Sequence, residues 1–484
     1  MDNRQTERKI SSIEILLILG FSCVMLLLSF VFFKERIIFS DTVGSLIDIF
    51  KKDSLNVTTN RFVSIFGQFL PFGAWKVGGS LSLIVLLYSV NLILIPICFI
   101  LLTLFWLRDT RTAWSILLFY LIMGGRTFWF PISEFQGGLC FLLFYAGVFD
   151  AFQKQRISRF LFWILSILFI PVVVFSHPLS ILVMGAWLVM QFLISARPLY
   201  TYAGAFAMMA ASYVVREVFW PAEYDAEKKQ GLENIGSMLA NFWNSTLAQG
   251  FYKEILNDYF LLPLLVIGLV IGLVRLKKPV LAVYFFLVLT GFWMLITISF
   301  PNETYSWYTE HMYQPLPFFL ALTAGRYLPE AFGRKLSIAV FSALLVVSLS
   351  KVYVGRERMT DRLEWYEACF KLMDEKGIRK GLVQMNHVDI GWRGESNWIT
   401  VYESLVLSTI KGPEHAKSVT LVWDTEKARG IIDQGENLIG VGLWYLPIAE
   451  LPETVFPIGD ARYHILTDEF GEERVRSLSY TKDQ

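Results

Sequence analysis

An arginine and a glutamate stand in the segment GGRTFWFPISEFQGG, which joins two short hydrophobic runs. Charged groups at the edge of such runs are costly to desolvate, so they mark candidate sites for a substrate or an ion. Arg126 suits binding of a phosphate, and Glu134 suits orienting Arg126 or a second substrate. The glycines and aromatic residues around them predict a loop that dips between helices and lines a cavity. An ion pair that only closes the loop is the alternative.

Other polar residues stand between later hydrophobic runs. His177 lies in FSHPLS, a minimal turn, and Arg216 ends another apolar run. The segment PNETYSWYTEHMY brings together Trp307, Glu310 and His311, which suit contact with ring faces and hydroxyl groups. Each has a structural alternative: a hydrogen-bonded turn histidine, an arginine that reaches to the membrane interface, and an interfacial aromatic belt.

The composition indicates that membrane helices position these residues. Of 484 residues, 55% are hydrophobic and 18% are charged, and the mean hydropathy is +0.49. A soluble domain carries about 25% charged residues. The net charge of +1 leaves no basic footprint, which excludes a nucleic-acid partner. Four cysteines do not make a disulfide framework.

Eleven apolar runs are predicted to cross a bilayer, for which a helix needs about 20 apolar residues. The first follows a short basic start and predicts an uncleaved anchor helix. The predicted spans are Ile13–Phe33, Ser80–Leu107, Thr112–Met123, Leu139–Phe152, Phe160–Phe175, Leu179–Ile194, Leu199–Phe219, Asp258–Leu276, Val280–Phe300, Tyr313–Leu328 and Leu336–Tyr353.

The segments that connect these runs alternate in charge. If the N-terminus is inside, every inner segment is short and basic, as in KQRISR and RLKKP. The outer segments include the long loops and most of the carboxylates. Because basic loops stay on the cytoplasmic side, the pattern predicts an N-terminus inside and a C-terminus outside.

Residues 354–484 are predicted to form a small extracytoplasmic α/β domain beyond the helical domain of residues 1–353. From Val352 onward the chain carries 22 acidic and 16 basic residues. The runs GLVQM, SVTLVW and LIGVGLW read as strands, with WITVYESLVLSTIKG and TEKARGIIDQG as helices between them. No glycine-rich fingerprint joins a strand to a helix, so we assign this domain no nucleotide. His387 and Asp389 are candidates for a lid over a site.

The first outer loop, residues 34–79, is predicted to hold two amphipathic helices on the membrane surface. In SDTVGSLIDIFKK and NRFVSIFGQFLPF, apolar residues recur at helical spacing. Asp41 begins the first helix, and Asn60-Arg61 opens the second. An acid at a helix N-terminus is also favoured by the helix dipole alone.

With these features together the chain resembles the GT-C superfamily of polytopic membrane glycosyltransferases. The shared features are the N-inside anchor, the acidic residue early in a long first outer loop, about eleven spans and the outer α/β domain. The spacing of Asp41 and Asn60-Arg61 is similar to GtrII-like and related bacterial membrane families. Many GT-C members carry paired acidic residues in this loop, whereas here Thr42 follows Asp41.

The resemblance implies an inverting transfer of a sugar from a polyprenyl-phosphate-linked donor to a glycan, lipid or protein acceptor. The reaction would take place at the outer face of a bacterial inner membrane, with membrane lipids around the enzyme. Asp41 would be the catalytic base. No cofactor is implied with certainty; a divalent cation is compatible, although no ligand-spacing motif appears. The substrate-binding candidates are Arg61, Arg126, Glu134, His177, Arg216, Trp307, Glu310 and His311.

Other functions fit the same layout. One is a flippase or transporter of a lipid-linked or amphiphilic substrate, but no internal repeat relates the two halves of the chain. A polysaccharide polymerase would place arginines in later outer loops, where Arg216 is the main one. A non-catalytic membrane scaffold would need none of these polar residues. The large outer domain favours catalysis at one face.

Overall fold

The computed structural model shows a predominantly helical chain. It describes residues 11–194, 198–221, 235–240, 242–385, 399–422, 438–439, 446–459 and 462–478. The helices of the first two thirds are α1 (Ser12–Val31), α2 (Phe33–Ile37), α3 (Ser40–Lys52), α4 (Ser64–Lys76), α5 (Leu81–Leu101), α6 (Thr110–Ile122), α7 (Glu134–Gln153), α8 (Arg159–Val174), α9 (Pro178–Ile194), α10 (Leu199–Phe219), α11 (Ile235–Ala240), α12 (Thr246–Asn257), α13 (Leu261–Arg275) and α14 (Pro279–Ser299). They are followed by α15 (Trp307–Met312), α16 (Pro315–Phe332), α17 (Arg334–Asp374), β1 (Lys380–Gln384), α18 (Thr400–Thr409), β2 (Ser418–Val422), β3 (Leu438–Ile439), β4 (Leu446–Pro447), β5 (Tyr463–Ile465), α19 (Leu466–Phe470) and α20 (Glu472–Ser477).

Five helices in the described part of the chain are long and apolar enough to cross a membrane. They are α1, α5 with the π-helical turn that follows it, α7, α14 and α17. A sixth candidate is the pair α12 and α13, which bends by 83°. Each of the eleven predicted runs contains a helix, but α6, α8 and α9 are shorter apolar helices. Large apolar side chains such as Phe160 and Ile167 are exposed on the bundle, as suits contact with lipid.

Helix α7 lies at the centre of the bundle, where aromatic rings pack closely. Phe144 of α7 stacks on Phe99 of α5, with 4.7 Å between the ring centroids. Phe141 meets the same ring edge-on at 4.8 Å. The predicted span began at Leu139, whereas α7 begins at Glu134, because Ser133 caps the helix by accepting a hydrogen bond from the Gln136 N–H.

The two helices predicted in the first loop are present as α3 and α4, but the surroundings of α3 differ from the expected membrane surface. Val43, Leu46 and Ile47 are buried by protein. Part of this cover is α18 of the C-terminal region, whose neighbour Ile399 lies where a side chain at Gly44 would project. An amphipathic pattern reports that one face is covered and not whether lipid or protein covers it.

The C-terminal region is joined to the bundle without a break in the helix. The 41 residues of α17 run through the expected boundary at residue 353. The helix continues through residues 354–374, which the sequence pattern assigned to the C-terminal domain. Gly377, with φ +65°, follows its C-terminal end. The two parts of the chain therefore share one long helix.

A small parallel sheet follows α17. Its strand order is β2-β1-β5, and Leu382 of β1 lies opposite Thr420 and Ile465. Helix α18 packs against β2. Strands β3 and β4 form a separate antiparallel pair. Of the predicted strand LIGVGLW, Leu438–Ile439 is described, and the predicted helix TEKARGIIDQG lies outside the described residues.

Candidate active site

A narrow, partly open cleft lies at the end of the bundle that carries α3 and α4. Its walls come from α4, α5, the segment between α6 and α7, and the start of α7. Most of the lining is apolar, and the polar exceptions include Arg36, Gln68 and Glu134. The predicted dipping loop forms one wall: Thr127 and Trp129 are each 1% exposed. Irregular backbone is expected at this depth only where it is covered by protein or lines a cavity.

Three predicted site residues lie close together, and one of them, Glu134, is part of the cleft lining. The Arg61 guanidinium lies 3.5 Å from the Glu134 carboxylate, and both side chains are largely buried. Asp41 is close enough for both charges to act on it. Although part of Asp41 is accessible, protein surrounds the carboxyl group on most sides. This desolvation and the charge of Glu134 raise its pKa to about 6, against the opposing effect of Arg61.

The position of Asp41 suits proton transfer. A general base works best when its pKa lies near the working pH, and a carboxyl group at its ordinary value is a weaker base. Ser45, one turn further along α3, lines the cleft. Asp41 therefore stands on a helix that contributes Ser45 to the cleft lining, with a raised pKa and a neighbouring cation.

His177 lies close to both Arg61 and Arg216. The His177 Nδ1 accepts a hydrogen bond from the Leu179 N–H at 3.2 Å, and the ring packs on Phe135 with centroids 4.7 Å apart. Burial and the charges of Arg61 and Arg216 hold the pKa of His177 well below its usual range. The buried Arg216 donates to the Val174 carbonyl at 3.0 Å. Both residues join this cluster, where they support the turn between α8 and α9.

Arg36 lines the cleft and was not among the residues predicted to form a site. Its Nε donates to Ser89 Oγ at 3.0 Å, and its Nη1 donates to the Phe128 carbonyl at 2.6 Å. The guanidinium also lies over the Phe128 ring, 4.1 Å from the centroid. Its Nη2 is buried and has no hydrogen-bond partner, and no carboxylate among the described residues pairs with it.

The environment of Arg36 is unusual for a charged group. Its side chain is completely buried, and desolvation lowers its pKa to about 9. Buried charges are ordinarily paired. The sequence held one signal: Arg36 is followed by Ile37, Ile38 and Phe39, so its segment is apolar after the first span has ended. An unpaired guanidinium in a cleft wall suits an anionic ligand.

Arg126 belongs to a different network, separate from the cleft lining. Its Nη2 pairs with Glu254 at 2.7 Å, and its Nη1 donates to the Tyr305 carbonyl at 3.0 Å. Glu310 is fully buried and accepts the backbone N–H groups of Arg126 and Thr127 at 3.0 and 2.8 Å. The sequence suggested that Glu134 orients Arg126 or a second substrate. The interaction with Arg126 is absent, because Glu134 pairs with Arg61 and Arg126 pairs with Glu254.

The other residues of the aromatic segment also contact protein. Glu310 accepts a hydrogen bond from the Tyr259 hydroxyl, His311 Nε2 lies 2.8 Å from the Phe130 carbonyl, and Trp307 stacks on Phe130 with centroids 5.0 Å apart. Burial lowers the pKa of His311 to about 4. These contacts fasten the segment before α16 to the loop before α7. The structure thus places Trp307, Glu310 and His311 in a packed network.

The acidic and histidine candidates do not gather around one metal position. Across the described ranges, no group of three or more His, Cys, Asp or Glu residues lies close enough to hold a metal ion. Asp41, Glu134, Glu310 and His311 therefore do not form one metal-binding site. His387 and Asp389 lie outside the described residues.

Comparison with known proteins adds no relative to this picture: no family model, curated protein or solved structure matches the chain. The function must be argued from the cleft and the residues around it.

Proposed function

We propose that the protein is a membrane glycosyltransferase that moves a sugar from a polyprenyl-phosphate-linked donor to an acceptor hydroxyl group. The observation that carries the proposal is the pairing of two unlike groups at one cleft. Asp41 is a carboxylate with a raised pKa close to Glu134 of the cleft lining, and Arg36 is a buried guanidinium in the wall without a carboxylate partner. A base and an anion-binding cation are the two groups that this transfer requires.

In the proposed reaction, Asp41 accepts the proton of the acceptor hydroxyl as its oxygen attacks the anomeric carbon. The bond between that carbon and the phosphate oxygen breaks, and the configuration at the carbon is inverted. Arg36 stabilises the negative charge on the departing phosphate through its Nη2 hydrogens, which the side chains that cover them must expose when the donor enters. The apolar lining of the cleft suits the first units of the polyprenyl chain. No metal is required for this charge balance.

The proposed reaction takes place on the side of the membrane opposite the N-terminus. The positive-inside pattern supports this orientation, because the basic connecting segments leave the cleft on the other face. The C-terminal region then lies outside the cytoplasm, and the membrane is the inner membrane of a bacterium. The acceptor is a glycan, a lipid or a protein.

The test is transfer of radiolabelled sugar by the purified protein, using a panel of polyprenyl-phosphate sugars and hydroxyl acceptors. We expect transfer by the wild type, and Arg36→Gln should raise the donor KM by about 10- to 100-fold because it loses charged hydrogen bonds. Arg36→Lys should be intermediate, since an ammonium replaces the planar fork. Arg111→Gln is the matched control: this arginine is paired with Glu330 and lies outside the cleft lining.

Two results would contradict the proposal. Equal donor KM values for Arg36→Gln and Arg111→Gln would remove Arg36 from the donor site. Absence of transfer by the wild type across the whole panel, together with movement of a labelled lipid across liposome membranes, would favour a flippase or transporter.

A further inference from the structure

The start of α3 is held by the C-terminal region. The Ser40 backbone N–H donates a hydrogen bond of 3.0 Å to the Glu403 carboxylate of α18. These two residues are 363 positions apart in the chain, and both are fully or almost fully buried. Ser40 immediately precedes Asp41. A contact with the α/β region therefore fixes the peptide that leads into the candidate base.

The backbone at Ser40 needs such support. Its φ is +49°, a left-handed conformation that is costly for a residue other than glycine, asparagine or aspartate. Conformations of this kind persist where the surrounding structure holds them, and they are concentrated at functional sites. The backbone conformation of Ser40 helps to set the direction in which α3 leaves it, and with that the position of the Asp41 side chain.

Glu403 is itself held firmly. It pairs with Arg362 of α17 at 2.5 Å and accepts a hydrogen bond from the Tyr366 hydroxyl at 2.7 Å. The Arg362 guanidinium also lies over the Phe39 ring, 5.3 Å from the centroid. Removing one partner from a buried ion pair is costly, so the structure keeps this group in place. The long helix, α18 and the residues before Asp41 are thus joined in one contact.

We propose that Glu403 is a positioning residue for Asp41: by holding the Ser40 N–H, it keeps the Asp41 carboxyl group beside Glu134 and Arg61 at the cleft. The inference rests on the proposed function for its catalytic meaning, but the geometric part can be tested without it. It assigns the C-terminal region a part in building the site. The far end of α3 offers a comparison, since Lys51 pairs there with the half-exposed Glu450.

The experiment compares two double variants that both remove the buried charge pair. Arg362→Leu with Glu403→Leu removes the acceptor for the Ser40 N–H, whereas Arg362→Leu with Glu403→Gln keeps an amide oxygen there. Replacing a buried ion pair by apolar residues of similar volume is often tolerated, so both variants should fold. The leucine pair loses the acceptor for the Ser40 N–H together with that for the Tyr366 hydroxyl, so Tyr366→Phe serves as the control for the second hydrogen bond. Glu450→Gln is the control for loss of a contact between the same helix and the same region.

The first readout is a thiol at the candidate base. Asp41→Cys is placed in each background, and the rate of reaction with a maleimide is followed against pH on the peptide that contains position 41. Because a thiolate is the reacting form, each unit of pKa change alters the rate by about tenfold below the thiol pKa. We expect a shifted profile in the leucine pair and an unshifted profile in the glutamine pair and in Glu450→Gln.

The second readout is sugar transfer, measured with Asp41 in place. A displacement of about 1 Å costs a catalytic group about 100-fold in rate. We expect kcat to fall by about 10- to 100-fold in the leucine pair, with a smaller change in donor KM. The lower limb of its pH profile should move, while the glutamine pair retains the wild-type profile.

Matching thiol profiles in the two double variants would overturn the positioning role. That result stands even if the wild type transfers no sugar, in which case only the proposed function fails. Should the leucine pair not fold, Arg362→Met with Glu403→Met removes the same acceptor with more adaptable side chains. A wild-type thiol profile in the methionine pair would also overturn the proposal.

Discussion

Replacing Asp41 with asparagine should abolish sugar transfer and stabilise the protein at neutral pH. Asparagine keeps the size of the side chain but cannot accept the proton of the acceptor hydroxyl. General bases contribute about 10²- to 10⁴-fold to a rate, so kcat should fall by that factor while the donor KM changes little. The transfer assay with purified wild type and Asp41→Asn measures both constants.

The stability effect follows from the raised pKa of Asp41. Its shift from 3.8 to about 6 means that the folded protein holds the carboxylate at a cost, roughly 3 kcal/mol by the conversion of pKa into free energy. Because part of Asp41 is exposed, solvent screening reduces the expected value to about 1 kcal/mol. Asp41→Asn avoids this cost, so it should unfold at a higher temperature in detergent at pH 7.5.

The stability gain of Asp41→Asn should depend on pH. The penalty is fully present above pH 6, where the folded carboxyl group is ionised, and it is lost as the pH falls from about 6 to about 4. The stability gain of Asp41→Asn should therefore disappear over that interval. The wild-type kcat/KM should fall over the lower part of the pH range, with an apparent pKa of about 6.

Asp48 provides the matched control, because it is an aspartate on the same helix as Asp41. It is paired with Lys52 at 3.0 Å and lies two helical turns beyond Asp41. Asp48→Asn should leave transfer and its pH profile near the wild-type values. Full activity of Asp41→Asn, or the same loss in both variants, would refute the assignment of Asp41 as base.

Three further predictions concern the surrounding structure. Arg126→Ala should lower thermal stability by about 2 kcal/mol, because Glu254 loses its buried partner; an unchanged melting temperature would contradict this. Glu453→Cys should react with an impermeant thiol reagent in intact cells, and labelling only after lysis would reverse the proposed orientation. Gly138→Ala should destabilise by about 1–3 kcal/mol, since its Cβ would lie 1.9 Å from Ser176 Oγ; detergent melting curves measure the effect.

The sequence predicted where helices form, because that signal is local, but only five or six helices in the described residues are long and apolar enough to cross a membrane, against eleven predicted spans. A run of apolar residues long enough to cross a bilayer has few alternatives to a helix, and each predicted run contains one. The continuation of α17 beyond residue 353 was missed, because its hydropathy falls sharply there while its backbone continues. Polarity changes along the helix there, while the helical backbone continues through Gly355.

The candidate site was predicted in part. Asp41, Arg61 and Glu134 were named from their loops, and the structure brings them together near one cleft. Arg36 was passed over because it stands beside Lys34 and Glu35, where a surface role is the ordinary interpretation. Its lack of a carboxylate partner depends on the packing of Phe128 and Ser89 around it. Such long-range contacts leave no periodic pattern in a single sequence.

Because α17 is unbroken, it fixes the orientation of the C-terminal region relative to the helical bundle. At 1.5 Å per residue, 41 residues form a rod about 60 Å long, roughly twice the thickness of a bilayer core. Insertion of one residue after Gly355 would turn everything beyond it by about 100° and displace it by about 1.5 Å. Arg362 and Glu403 would turn together, away from their contacts with Phe39 and Ser40. The angular phase of this helix, more than its length, sets how the two halves of the molecule meet.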